Sequence, residues 1–159
     1  MKAASSNEIK QELKELSPGK LVDLCLRLAR FKKENKELLT YLLFEADDLE
    51  QYIINVKQEM DESFSAINTS SVYFAKKSLR KILRTTNKYI RYTGSKQAEA
   101  ELLLYFCSKL TQSGIAFAKS NALNNLYHAQ LKKIQAVIAT MHEDLQYDYL
   151  RQLGQLSKV

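Results

Sequence analysis

The sequence contains few of the residues that turn or break a polypeptide chain. Its 159 residues include four glycines and one proline, and tryptophan is absent. A β-sheet protein of this length needs many more turn residues at regular intervals, so the composition argues against a sheet fold. Leucine, lysine, glutamate and alanine are abundant instead, and each of them favours the α-helix. We therefore predict an all-α protein.

Motifs for catalysis and for cofactor or metal binding are missing from the sequence. The two histidines, His128 and His142, would lie about 21 Å apart on one continuous helix, too far to share a metal ion. Neither belongs to an HExxH motif, and glycine-rich phosphate loops and the GxSxG nucleophile motif do not occur. Cys25 and Cys107 lack metal-site spacing and are predicted to be buried thiols. These features predict a protein that is not an enzyme and has no cofactor.

Long apolar segments are also lacking. No stretch of the sequence approaches the length of about 18 apolar residues that indicates a membrane-spanning helix. Residues 1–10 are polar, whereas a signal peptide would have an apolar core. Together with two thiols that suit a reducing compartment, this predicts a cytoplasmic protein without a transmembrane segment.

Apolar residues recur at steps of three and four along most of the chain, which is the spacing of one helix face. We predict a frayed N-terminus over residues 1–7, a single helical domain over residues 8–153 and a tail over residues 154–159. Helices are expected at about 8–16, 18–32, 36–44, 48–67, 71–93 and 96–118, and residues 121–153 form either one helix or two. Six to eight helices would pack mostly antiparallel, as an irregular helical bundle or a short superhelical array of helical hairpins.

Positive charge is concentrated in one interval of the chain. The interval between Glu62 and Glu99 contains eight lysines and arginines and no acidic residue. The rest of the chain carries 16 positive and 18 negative charges, so this basic interval supplies the net charge of +6. On a helix over residues 71–93, seven of these side chains fall within an arc of about 140°. This set, which we call the basic face, consists of Lys76, Lys77, Arg80, Lys81, Arg84, Lys88 and Arg91. It is the candidate binding site for an anion or an acidic partner.

The preceding helix offers an internal partner for the basic face. Residues 45–62 carry seven carboxylates and one cation, Lys57. A short connection would make this helix an antiparallel neighbour of the helix over residues 71–93, so the two sets of charges could cancel in part. Two interpretations stay open at this point: the basic face binds an external partner, or it is solvated and neutralised within the fold.

The C-terminal third contains a heptad-like seam. Its apolar residues alternate steps of four and three: Tyr127, Leu131, Ile134, Ile138, Met141 and Leu145. The seam predicts a contact with a protein partner or a homodimer. We accordingly predict a non-catalytic protein-interaction or scaffold module, with a nucleic-acid or anion-binding protein that uses the basic face as the alternative. An enzyme assembled from dispersed residues is the third hypothesis.

Several segments resemble a family of small uncharacterised bacterial helical proteins. They are the sequence LKELS at residues 13–17, LVDL at 21–24, NKE at 35–37 before Tyr41 and Leu42, and the region 98–110. The resemblance implies an all-α fold built of helical hairpins. It implies no activity, and it supplies no functional residues.

Overall fold

The computed structural model describes residues 1–157, which form eight α-helices and no strand. The helices are α1 (Ser6–Lys14), α2 (Pro18–Phe31), α3 (Lys33–Phe44), α4 (Leu49–Ser65), α5 (Val72–Thr93), α6 (Lys96–Gln112), α7 (Asn121–Ile138) and α8 (Glu143–Leu156). A short 3₁₀ turn at Phe117–Lys119 precedes α7. These helices confirm the predicted all-α class. None of those between residues 1 and 157 has the length and apolarity to cross a bilayer.

Polar caps fix several helix ends. Ser5 and Glu8 form a reciprocal capping box, in which the Ser5 N–H donates to Glu8 Oε2 at 2.7 Å, so α1 begins within the segment predicted to be frayed. The Asp48 carboxylate accepts from the Gln51 N–H at 2.9 Å and starts α4. Gly94 ends α5 with a φ of 60°, a left-handed conformation that glycine adopts without a Cβ penalty.

The chain divides into two compact units, residues 1–44 and the residues from Glu45 onward, where a single domain over residues 8–153 was expected. In the first unit α2 packs on α3 as a helical hairpin, and the Asn35 side chain closes the turn by donating to the Leu28 carbonyl at 2.8 Å. Tyr41 is the one buried residue of this unit. The apolar stripes of α1–α3 therefore enclose almost no core of their own, and Cys25, predicted to be buried, is exposed.

Helix α6 forms the centre of the second unit and contacts α4, α5, α7 and α8. Leu102, Phe106, Cys107 and Leu110 have no exposed surface, as expected for a helix that is apolar around most of its circumference. Burial raises the pKa of the Cys107 thiol to about 12, so this side chain packs as a small neutral hydrophobe. The helix ends at Gln112 rather than near residue 118, and Gly114 then turns the chain with a φ of 71°.

The C-terminal segment forms two helices, α7 and α8. The break falls at residues 139–142, and the His142 side chain caps α8 by accepting from the Asp144 N–H at 3.3 Å. Tyr127, Leu131 and Ile134 are buried within the unit where α7 packs on α6. The first four residues of the heptad-like seam, through Ile138, therefore pack inside the chain, whereas Leu145 at its end is 48% exposed. The homodimer stays a prediction. Of the predicted tail, residues 154–156 are helical, and residues 158–159 lie outside the described residues.

Candidate anion-binding surface

The apolar side of α5 fixes the direction of its basic face. Ala75, Leu79, Ile82, Thr86 and Ile90 are buried, and α5 contacts α4 and α6. The Thr86 hydroxyl is satisfied by donating to the Ile82 carbonyl at 3.0 Å. Val72, the first residue of the helix, is 49% exposed. With this side held in the core, the opposite side of the helix must face solvent.

The structure leaves the basic face open. Lys77, Arg80, Lys81, Arg84 and Arg91 are exposed, and Lys76 is half-buried. None of these six cations forms a salt bridge with any of residues 1–157. The half-buried Lys88 places its Nζ atom 5.1 Å from the ring centroid of Tyr89, a cation–π contact. From Lys76 to Arg91 the row is about 22 Å long at 1.5 Å per residue.

Two carboxylates of α4, Asp61 and Glu59, have partners other than these six cations. Asp61 accepts from Lys109 Nζ at 2.9 Å and from the Tyr105 hydroxyl at 2.8 Å, and both of these donors belong to α6. Burial raises the pKa of Asp61, but these hydrogen bonds outweigh that effect and the net shift is downward. Glu59 accepts from the Tyr89 hydroxyl at 3.0 Å. Over the described part of the chain, no acid of α4 forms a salt bridge with one of the six cations above, so the packing of α4 on α5 does not pair their charges directly.

A groove extends the positive surface beyond α5. It is open, has a volume of about 780 Å³, and lies between the C-terminal half of α5, the first turn of α6 and α7. Its charged lining consists of Arg84, Arg91, Lys96, Lys133 and one acid, Glu99. Lys133 Nζ donates to Asn87 Oδ1 at 2.9 Å and lies 3.2 Å from Glu99 Oε1. The two arginines belong to the basic face, so the groove and the basic face form one continuous surface.

Sequence reasoning did not find Lys133 as a site residue. It lies on α7, far from α5 in the sequence. The sequence of an amphipathic helix shows which face is buried but not which neighbouring helix covers that face. Lys96 lies in the basic interval but outside the helix that carries the basic face. Only the packing of α5, α6 and α7 brings Lys133 and Lys96 beside Arg91.

A second polar cleft, of about 480 Å³, lies between α4, α6 and α8. Glu101 accepts there from Lys57 at 3.2 Å and from Gln97 and the Tyr149 hydroxyl at 3.0 Å each. Burial raises the pKa of Glu101, but the hydrogen bonds outweigh it and lower the pKa overall, whereas burial and the bond to Glu101 raise the pKa of Tyr149 to about 12. Glu101 therefore stays ionised and Tyr149 stays protonated near pH 7. Neither is poised to exchange a proton, and the cluster serves to tie three helices together.

Comparison with known proteins gives no relative from which a function could be transferred. No family model matches the chain, and no curated protein and no solved structure matches it either. The resemblance to small bacterial helical proteins stays a prediction. Any functional conclusion therefore depends on the geometry and charge described above.

Proposed function

We propose that this protein is a non-catalytic binding module that contacts a nucleic-acid backbone through the basic face of α5. The observation that carries the proposal is the row of six cations on this helix that have no salt-bridge partner among residues 1–157. A row of positively charged side chains creates an electrostatic field that attracts phosphates. Contact with phosphates releases the counterions condensed on them, which favours binding.

The shape of the basic face suits a linear polyanion. The row is about 22 Å long on a straight helix and contains no acid. Along one strand of a duplex, phosphates repeat about every 3.4 Å, so the row matches about six to seven base pairs. Charges at regular intervals along a line are a property of nucleic acid rather than of a folded acidic protein.

An anionic membrane is a poorer match for the same surface. Helices that bind at a membrane surface insert an apolar face beside their cations. The apolar side of α5 is buried against α4 and α6, and between Lys76 and Arg91 no large apolar side chain is exposed. Along this row a vesicle could therefore be held only by charge. The exposed apolar side chains of α5, which are Val72, Tyr73 and Phe74, lie in its first turn before the row begins.

The proposal is tested by fluorescence anisotropy with a labelled 20-base-pair duplex of arbitrary sequence at low salt. A variant with Lys77, Arg80, Arg84 and Lys88 changed to glutamate should lose binding. The matched control changes four exposed lysines of the first unit, Lys2, Lys10, Lys14 and Lys20, to glutamate. Both variants alter the net charge equally, so general attraction would affect them alike.

Retained binding in the control and lost binding in the basic-face variant is the expected result. Absence of wild-type binding at low salt would refute the proposal, as would an equal loss in both variants. Binding to anionic vesicles but not to the duplex would refute it in favour of a membrane. Circular dichroism of both variants shows whether the fold is intact.

A second candidate function, protein interaction, is favoured by the surface of the first unit. Phe31, Leu43 and Phe44 are 76%, 63% and 79% exposed, and exposed apolar patches of this kind mark interaction sites. A groove on the hairpin has an apolar floor that includes Leu26 and Leu39. Its charged lining is entirely basic: Arg30, Lys32, Lys33 and Lys36.

The charge of this groove favours one kind of partner, a helix with acidic side chains. We propose that the hairpin accepts an amphipathic helix whose polar face is acidic, by the helix-in-groove mode. A second copy of this chain is a poorer match because the protein carries a net charge of +6. A designed helical peptide with leucine on one face and glutamate on the other should bind, and its leucine–lysine counterpart should not. Equal binding of the two peptides, or dimerisation of the protein alone in sedimentation equilibrium, would refute this assignment.

A further inference from the structure

We infer that the nucleic-acid backbone leaves the axis of α5 near its C-terminal end and enters the groove between α5, α6 and α7, where Lys133 contacts a phosphate beside Arg91 and Lys96. This inference rests on the proposed function of the basic face. It assigns a binding role to a residue of α7 that lies outside the basic interval. It also predicts a curved rather than a straight path for the bound strand.

Continuity of charge supports this path. Arg84 and Arg91 belong to both surfaces, and a backbone lying on the basic face therefore already touches the groove. Two further cations line the groove, Lys96 from the start of α6 and Lys133 from α7. Cations from three helices thus converge on one concave surface.

The single acid of the groove does not cancel these charges. The Glu99 carboxylate lies 3.2 Å from Lys133 Nζ and 3.8 Å from Lys96 Nζ. One negative charge faces four positive ones, so the lining keeps a surplus of three. Glu99 contacts both lysine side chains and leaves this surplus in place.

Lys133 has a donor available for a phosphate oxygen. A lysine ammonium has three N–H donors. Asn87 accepts one of them at 2.9 Å, Glu99 lies 3.2 Å from the ammonium as its ion-pair partner, and the side chain is 43% exposed. A third N–H can therefore reach a ligand without breaking either existing contact.

The start of α6 adds to the same field. Ser95 caps this helix by accepting from the Ala98 N–H, and both Ser95 and Lys96 line the groove. The first N–H groups of a helix lack intrahelical acceptors, and the helix dipole is positive at this end. Both effects favour a phosphate beside Lys96 and Lys133.

The test compares Lys133→Gln with Lys132→Gln in the full chain, using the 20-base-pair duplex. Both lysines are exposed neighbours on α7, but Lys132 does not line the groove. Plots of log Kobs against log salt concentration should become shallower by about 0.9 for Lys133→Gln, because one phosphate contact is lost. The plot for Lys132→Gln should match that of the wild-type protein.

The outcomes separate this inference from the function on which it rests. If the wild-type protein does not bind the duplex, the proposed function fails. If binding requires the basic face but Lys133→Gln and Lys132→Gln give the same slope, the inference is wrong and the proposed function stands. A third outcome would assign the groove to free anions and overturn the inference. In that case Lys133→Gln leaves the salt slope of duplex binding unchanged but abolishes the binding of inorganic phosphate.

Discussion

The Glu101 carboxylate joins three helices of the second unit. It accepts hydrogen bonds from Lys57 on α4, Gln97 on α6 and Tyr149 on α8. Replacement of Glu101 by glutamine keeps the size of the side chain but removes its charge. Lys57 then loses its counter-ion, while the Tyr149 hydroxyl can still donate to the amide oxygen.

The exposed fraction of the Lys57–Glu101 ion pair determines how much stability Glu101→Gln should lose. The Lys57 and Glu101 side chains are 29% and 24% exposed. An exposed ion pair contributes about 0–1 kcal/mol, whereas breaking a buried one costs about 3–5 kcal/mol. Because this pair lies between these limits, we expect Glu101→Gln to lower the free energy of unfolding at pH 7 by about 1–3 kcal/mol.

This loss should depend on pH in a defined direction. The folded-state pKa of Glu101 lies below its ordinary value of 4.5, since the hydrogen bonds outweigh the opposing effect of burial. The stabilisation is therefore fully present at pH values above the unfolded-state pKa of Glu101. It disappears as the pH falls through the folded-state pKa. The difference in stability between the wild-type protein and Glu101→Gln should shrink below pH 4.5.

Urea denaturation followed by circular dichroism at several pH values measures this difference. Glu62→Gln is the control, because it removes an exposed carboxylate of α4. It should change stability by less than about 0.5 kcal/mol, as is usual at surface positions. A Glu101→Gln protein as stable as the wild type at pH 7 would refute the reasoning, as would a loss of equal size on both sides of pH 4.5.

Three further predictions concern thiol reactivity, the end of α5 and the groove beside it. A thiol reagent should modify exposed Cys25 in the native protein and should reach buried Cys107 only on unfolding; two fast-reacting thiols would contradict this. Gly94→Ala should lower the free energy of unfolding by about 1 kcal/mol because φ is 60° at this position, whereas the control Gly19→Ala in α2 should not destabilise. Glu99→Gln should tighten duplex binding, because it removes the one negative charge that lines the groove, and weaker binding would contradict this.

The sequence was a good guide to α5 because a helix that packs on one side shows its orientation in its own residues. The apolar positions Leu79, Ile82 and Ile90 are buried, and the cations opposite them face outward. The left-handed end at Gly94 was also predictable, because glycine is the usual residue there. Both features depend on local geometry alone.

Features that depend on which helices are neighbours could not be predicted in this way. Glu59 and Asp61 follow each other closely in the sequence, but they flank the buried stripe of α4 on opposite sides. Glu59 therefore meets Tyr89 of α5, and Asp61 meets Lys109 of α6. A count of acidic residues in α4 does not show this division. The groove around Lys133 and the division into two units at residue 44 depend on tertiary packing in the same way.

We propose that this protein contacts a nucleic-acid backbone through the basic face of α5. Titration of the ¹⁵N-labelled full chain with an unlabelled duplex, followed by amide chemical shifts at low salt, tests the claim most directly. We predict that the largest shifts cluster between Lys76 and Lys96 and around Lys133, and that they fade as salt is raised. Shifts confined to α2 and α3, or no shifts at any duplex concentration, would contradict the claim.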